Sequence, residues 1–190
     1  MTAKLKRCAW AEGSDLMRAY HDEEWGVPSR DERYLFEFLT LEGAQAGLSW
    51  STVLNKRARY REVLDDFEPT VVAGYDADRL DSLLLDPGII RHRGKVASLV
   101  TNAEAFLAVR AEFGSFATYL WGWVDGRPIV NAPPSGVALP ATTELSDRLS
   151  KDLKKRGFKF VGSTIVYSYL QAVGVVDDHV EGCNTRALVG

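Results

Sequence analysis

The two cysteines of this 190-residue chain, Cys8 and Cys183, lie near its opposite ends, and each has a histidine nearby in sequence, His21 and His179. Thiolate and imidazole are the donors that hold zinc in closed tetrahedral sites, and bringing the chain ends together assembles four of them. His179 and Cys183 are four positions apart, the span of one helical turn. Four protein ligands leave no coordination position for water, so a metal held this way staples the chain ends and is not the catalyst. The alternatives are a disulfide, if the protein is exported, or two buried thiols beside two surface histidines.

A second constellation centres on a carboxylate. Leu41-Glu42-Gly43-Ala44-Gln45-Ala46-Gly47-Leu48-Ser49-Trp50 carries one acid in a small, apolar stretch. Burying Glu42 is costly unless it meets hydrogen-bond donors or a positive partner, and a cationic base turned out of a duplex provides one. Trp50, with Trp10 and Tyr20 from the N-terminal segment, offers stacking surfaces for such a ring. Residue type alone favours a plainer reading, with Glu42 facing solvent and each tryptophan in the core. Trp25, Trp121 and Trp123 are assigned to the core.

The third constellation is Leu84-Leu85-Asp86-Pro87-Gly88-Ile89-Ile90-Arg91-His92-Arg93-Gly94-Lys95. A glycine turn between two helices frees backbone N–H groups, and the second helix points its positive end at an anion, so Gly88, Arg91, Arg93 and Lys95 can grip phosphate without reading sequence. The competing reading is an ordinary connection with a solvated basic face. Lys151, Lys154, Lys155, Arg156 and Lys159 form another basic cluster, either lining the same groove or simply exposed.

Helices must carry these groups. Residues 31–48 read as one helix, capped by Asp31 or Ser29, with Leu35, Phe36, Leu39 and Leu41 on its apolar face. A second is expected from Ser49 through Tyr60 to Leu64. Asp78 to Asp86 is short and amphipathic and stops at Pro87-Gly88, and another helix starts near Lys95. Residues 126–141, with four prolines and two glycines, read as a surface loop. Beyond it, Leu145, Leu149 and Leu153 follow a Thr143 cap, Gly157 ends that helix, and the apolar run Phe158 to Val176 reads as the last one. The expectation is an all-α protein without strands or repeats.

Composition narrows the function. A hydrophobic fraction of 46% supports a real core, and no stretch is long and apolar enough for a membrane span or an export signal. The expected location is therefore the cytoplasm, where a metal is favoured over a disulfide. With 23 Lys and Arg against 26 Asp and Glu, the net charge of −3 excludes a protein that coats nucleic acid by bulk electrostatics, and any DNA contact must be local.

Together, Cys8-Ala9-Trp10, Tyr20-His21-Asp22-Glu23-Glu24-Trp25-Gly26, the Leu41 to Trp50 segment, Gly88 to Lys95, Lys154-Lys155-Arg156-Gly157-Phe158-Lys159-Phe160-Val161-Gly162 and Asp178-His179-Val180 closely resemble the bacterial DNA-3-methyladenine glycosylase I family, in order from Cys8 to Cys183. The resemblance implies a helix-hairpin-helix glycosylase fold with both termini meeting around one structural zinc, whose ligands fall on Cys8, His21, His179 and Cys183. It implies base recognition by Glu42, stacking by Trp50, and further pocket aromatics at Trp10 and Tyr20. The expected division is a terminal lobe of residues 1–40 plus 142–190 and a hairpin lobe of 41–141. The implied partners are alkylated double-stranded DNA and free 3-methyladenine as product, acted on by a monomer.

One departure is Met17, where the family usually has tyrosine; a thioether packs against a ring edge but donates no O–H bond. The helix after the hairpin carries Asn102 where related hairpin glycosylases usually carry an aspartate. That fits the implied chemistry, because 3-methyladenine is already cationic in the nucleotide and leaves as a neutral base without a general acid. Ala77 to Arg93 contains no lysine to act as a Schiff-base nucleophile, so hydrolysis without strand cleavage is expected.

Overall fold

The computed structural model describes residues 6–183 and is mostly helical. A short turn at Ala9–Gly13 leads into α1, Asp15–Glu23, and then α2, Glu32–Gln45. Asp31 caps α2, its carboxylate accepting from the Tyr34 N–H at 2.8 Å. Every residue of α2 from Leu35 to Ala44 is buried, because the helix is wrapped by neighbours on all sides. Those neighbours are α3, Trp50–Leu54, together with α7, Arg93–Phe113, α8, Phe116–Gly122, and α10, Ser163–Ala172. Glu42 is therefore carried into the interior by the helix it belongs to. The buried apolar side chains form one cluster, and α2 crosses the expected division between residues 40 and 41.

The helix expected from Ser49 to Leu64 is two helices, α3 and α4, Arg57–Val63. At the break the Asn55 side-chain amide donates to the Ser51 carbonyl at 2.7 Å, and Lys56 reaches across to the Pro87 carbonyl at 2.6 Å. Side-chain bonds of this kind compete with helix continuation. After α5, Pro69–Val72, the short helix expected at Asp78 to Asp86 is α6, Ala77–Leu85, starting one residue early and capped by Asp76. Its partner across the turn, α7, begins at Arg93 with the His92 ring accepting from the Lys95 N–H at 3.2 Å.

After the loop, α9, Glu144–Lys155, has the expected Thr143 cap, closed by Ser146 into a reciprocal capping box. The expectation of a helix from Phe158 to Val176 is corrected. Only Ser163–Ala172 is helical, and Phe158 to Gly162 run irregularly with Phe160 at φ 55°. The Asn102 side chain holds this segment, donating to the Lys159 carbonyl at 3.1 Å and accepting from its N–H at 2.7 Å. An isolated apolar run does not reveal that a distant amide competes for its backbone.

The absence of strands is corrected as well. Ile129–Val130, here β1, pairs in parallel with Val176–Asp177, β2, with Ile129 opposite Val176 and Val130 opposite Asp177. The pair pins the proline-rich loop to the segment that precedes His179. Two residues per strand are too few to leave a period in the sequence. Among the described residues no helix is long and apolar enough to cross a membrane.

Candidate active site and metal centre

Cys8, at the mouth of the N-terminal turn, His21, on α1, and Cys183, beyond β2, are all buried, and their donor atoms lie within 4.8 Å of one another. This trio joins the two chain ends and can hold a metal ion. His179 adds a ring whose centroid is 4.9 Å from that of His21. It is fully buried, and its Nε2 has no hydrogen-bond partner. A buried ring nitrogen without a partner is costly in a protein interior, and a metal ligand is one of the few roles that explains it.

The carboxylates behind the rings point to the same use. Asp22 Oδ1 sits 2.8 Å from His21 Nδ1, and Asp177 Oδ1 sits 2.7 Å from His179 Nδ1. A carboxylate at Nδ1 keeps the proton there and leaves Nε2 as a lone-pair donor, the usual outer shell of a metal-bound histidine. Arg7 fixes Asp22 by bonds of 2.8 and 2.9 Å and holds its carboxyl below the usual range. Burial lowers His21, so its neutral, ligating form is favoured. Burial also pushes the Cys8 thiol up to about 11, so a thiolate in this position needs a cation beside it. Gly26, at φ 78°, lies against His179; a Cβ there would come within 2.8 Å of the imidazole Cε1, which leaves room for glycine alone.

The His21 and His179 rings pack behind the walls of a neighbouring cleft. Trp10 meets His21 edge-on at 5.2 Å, and Trp25 meets His179 edge-on at 4.6 Å. On their other side these two tryptophans line a cleft of about 260 Å³ with Met17, Tyr20, Glu42 and Trp50. Tyr20 lies 5.2 Å from Trp50 and stacks on Phe38 at 6.0 Å. Phe38 is backed by the Arg57 guanidinium at 4.7 Å, which is itself paired with Glu24 and Glu37.

Glu42 is 3% exposed, and its Oε2 has no partner. Burial alone pushes its carboxyl up to about 8. The Trp50 indole N–H is likewise buried and unpartnered. A strongly perturbed acid and an unused donor lining one aromatic cleft are what a binding site for a flat, polar or cationic ring looks like.

All four expected pocket residues, Trp10, Tyr20, Glu42 and Trp50, meet in this cleft. Met17 also lines it. Trp25 was assigned to the core and is buried, yet one face of it forms the cleft wall. Sequence reasoning missed Gln45, Leu139, Ser168 and Gln171. Gln45 follows Glu42 by three positions, and Ser168 and Gln171 share the same spacing on α10, so helical periodicity could have placed both pairs on common faces.

The hairpin lies between α6 and α7. Gly88 makes its turn, but its N–H is taken by the Asp86 carboxylate at 2.7 Å, and a Cβ would collide with Arg59 Cγ at 2.4 Å. Ile90 donates to the Tyr60 hydroxyl at 3.0 Å. The N–H groups open to an anion are those of the first turn of α7, at Arg93 and Gly94, which have no partner within the helix. Arg91 and Arg93 are exposed beside them. Lys95 instead turns inward, donating to the carbonyls of Ala44 and Ala46 at 2.8 and 2.6 Å, where it caps the end of α2.

A helical scaffold with a hairpin at one side, an aromatic cleft holding a buried acid, and chain ends joined at a metal-binding cluster is the layout of a helix-hairpin-helix DNA glycosylase. The family model of methyladenine glycosylases matches residues 10–187, and the chain belongs to that family. It is 48% identical over 179 residues to DNA-3-methyladenine glycosylase 1 of Escherichia coli K12, covering 94% of this chain and 96% of that protein. A crystal structure of 3-methyladenine DNA glycosylase I superposes with a TM-score of 0.90 at 50% identity, covering 94% of this chain and 98% of the other. A variant of 3-methyladenine DNA glycosylase I in complex with 3-methyladenine superposes with a TM-score of 0.91 at 37% identity, over 94% and 96% of the two chains.

Proposed function

We propose that this protein hydrolyses the N-glycosidic bond of 3-methyladenine in alkylated duplex DNA, taking the damaged nucleotide out of the helix and releasing the free base. The observation that carries this reading is the buried, unpartnered carboxyl of Glu42 in an aromatic cleft. Membership of the methyladenine glycosylase family supports the choice of base.

In the proposed sequence, the first turn of α7 with Arg91 and Arg93 engages backbone phosphates, Gly88 having shaped the turn that presents them. The nucleotide enters the cleft lined by Trp10, Tyr20 and Trp25 on one side and by Glu42 and Trp50 on the other, the proposed boundary between a terminal lobe and a hairpin lobe. Trp50 stacks on the flipped base, with Tyr20 and Trp10 completing the walls. Glu42 accepts hydrogen bonds from its edge. A cationic base lowers the cost of ionising Glu42, and the carboxylate in turn stabilises positive charge as the bond to the sugar breaks. The base leaves neutral, so no acid is needed to protonate it. Lys95 holds the end of α2, in keeping with attack by water and no Schiff base.

The metal is proposed to be zinc, held by Cys8, His21, His179 and Cys183. Two sulfur and two nitrogen donors suit zinc, and a fully protein-ligated ion supplies structure alone. Its role is to fix the rings against which Trp10 and Trp25 pack. The protein is proposed to act as a monomer in the cytoplasm.

Met17 in the cleft wall favours a second possibility at the level of substrate, another alkylated base on the same scaffold. Titrating free 3-methyladenine while following tryptophan fluorescence separates the two. Quenching that saturates in the wild type and is lost in Trp50→Ala is expected. A flat response from the wild type, with the fold intact, would count against 3-methyladenine as the ligand.

A further inference from the structure

Asp178 is 1% exposed, next in sequence to His179, and has no part in the mechanism above. Its Oδ1 accepts from the Asn131 amide at 2.6 Å, and its Oδ2 accepts from the Tyr167 hydroxyl at 2.5 Å and from Gln171 Nε2 at 2.6 Å. Three donors from the loop and α10 therefore converge on one buried carboxylate. Such convergence stabilises the ion and fixes the orientation of each donor.

For Gln171 the consequence is chemical. A carboxylate only accepts, so the end of the Gln171 amide that meets Asp178 must be nitrogen. Among the described residues its other end, Oε1, has no hydrogen-bond partner, and Gln171 lines the base cleft. One turn earlier on α10, Ser168 lines the same wall. Glu42 stands on α2, so the cleft offers acceptors from two different helices. An outward carbonyl dipole favours a donor or a positive ring; a flipped amide would present N–H groups and repel it.

We propose that Gln171 is a second acceptor for the base, selecting a cationic or amine-bearing edge, and that Asp178 is the positioning residue that fixes its carbonyl toward the cleft. The inference rests on the functional reading above and deepens it. It also gives the link between chain end and cleft a second route: β2 and the residues after it carry both a metal-site ring and the carboxylate that aims Gln171.

The test is a double-mutant cycle on the full-length, metal-loaded protein. Gln171→Leu removes the acceptor at similar size. In Asp178→Asn one oxygen becomes an amide that must face donors, so Gln171 is released to turn over. Each single variant is expected to weaken binding of free 3-methyladenine and to lower kcat/KM on methylated DNA about tenfold, and the double variant is expected to lose no more than either alone. Metal content and melting temperature are measured alongside, and Asp178→Glu serves as a second variant that keeps the charge and restores part of the activity. Losses that add in the double variant, or single variants that bind and cleave like an active wild type, would overturn the inference. Loss of activity in Asp178→Asn that tracks loss of metal, with Gln171→Leu fully active, would overturn it too. A wild type that releases no 3-methyladenine would overturn the functional reading and this inference with it.

Discussion

Glu42→Gln is expected to produce a protein that is more stable than the wild type and at least a hundredfold less active. Burial pushes the Glu42 carboxyl from 4.5 up to about 8, so the folded protein holds this proton more tightly than the unfolded chain does. The associated stability is complete below about pH 4.5 and is lost as the pH rises through about 8. Glutamine has no proton to lose and nearly the same volume. Its advantage in stability should therefore grow from pH 5 to pH 9, reaching a few kcal/mol at most.

The activity moves the other way. An amide cannot balance positive charge, and removing one preorganised electrostatic group from an active site typically costs a factor of roughly a hundred to a thousand. In the wild type, kcat/KM for the cationic nucleotide should rise with pH to a plateau above about 8, because the free protein must lose the Glu42 proton to bind a cation. In the variant that limb should vanish. Thermal unfolding across pH, paired with single-turnover base release, measures both. A variant of wild-type activity would remove Glu42 from the mechanism, and equal stability at every pH would contradict the buried, protonated acid.

The second large effect is expected at the metal centre. Cys8→Ser removes one member of a cluster that joins the two chain ends, and losses of this type are among the few that exceed about 4 kcal/mol. For a chain of this length that corresponds to a melting temperature lower by roughly 10 °C. Activity should fall by a different route from that of Glu42→Gln. His21 and His179 pack against Trp10 and Trp25, so loosening the cluster loosens two walls of the cleft. Metal analysis, melting curves and ligand titration below the melting point follow the three effects separately. One zinc per wild-type chain, with parallel loss of metal, stability and affinity in Cys8→Ser, is the expected pattern. A metal-free wild type of full stability would contradict the staple.

Much of this site is legible in the sequence because its residues are rare types at telling positions. Two cysteines at opposite ends, each near a histidine, and one acid in a run of small residues stand out without a fold. The carboxylates behind the histidines, Asp22 and Asp177, are less visible, since aspartate is common and its partner is known only once the ring is oriented. Trp25 looked like core because it is core, with one face turned to the cleft. Gln171 and Ser168 lie in an apolar helix whose cleft-facing side depends on how α10 packs on α2 and α9.

The same limit governs the fold. Capping residues marked α2 and α9 well, since Asp31 and Thr143 act within three residues of themselves. The reach of Lys56 to Pro87 at the break after α3, the irregular segment held by Asn102 and the pairing of β1 with β2 depend on contacts between distant parts of the chain. Lys95 illustrates the cost of reading charge by position. It belongs to a basic turn in sequence, yet it closes the C-terminal end of α2.

The most direct test of the account is to incubate the protein with randomly methylated duplex DNA, separate the released bases by chromatography, and examine the strand for breaks. On this account free 3-methyladenine as the main product, an abasic site in an uncut strand, and release at least a hundredfold slower by Glu42→Gln are expected. DNA binding without any released base, or release of a different base alone, would contradict it.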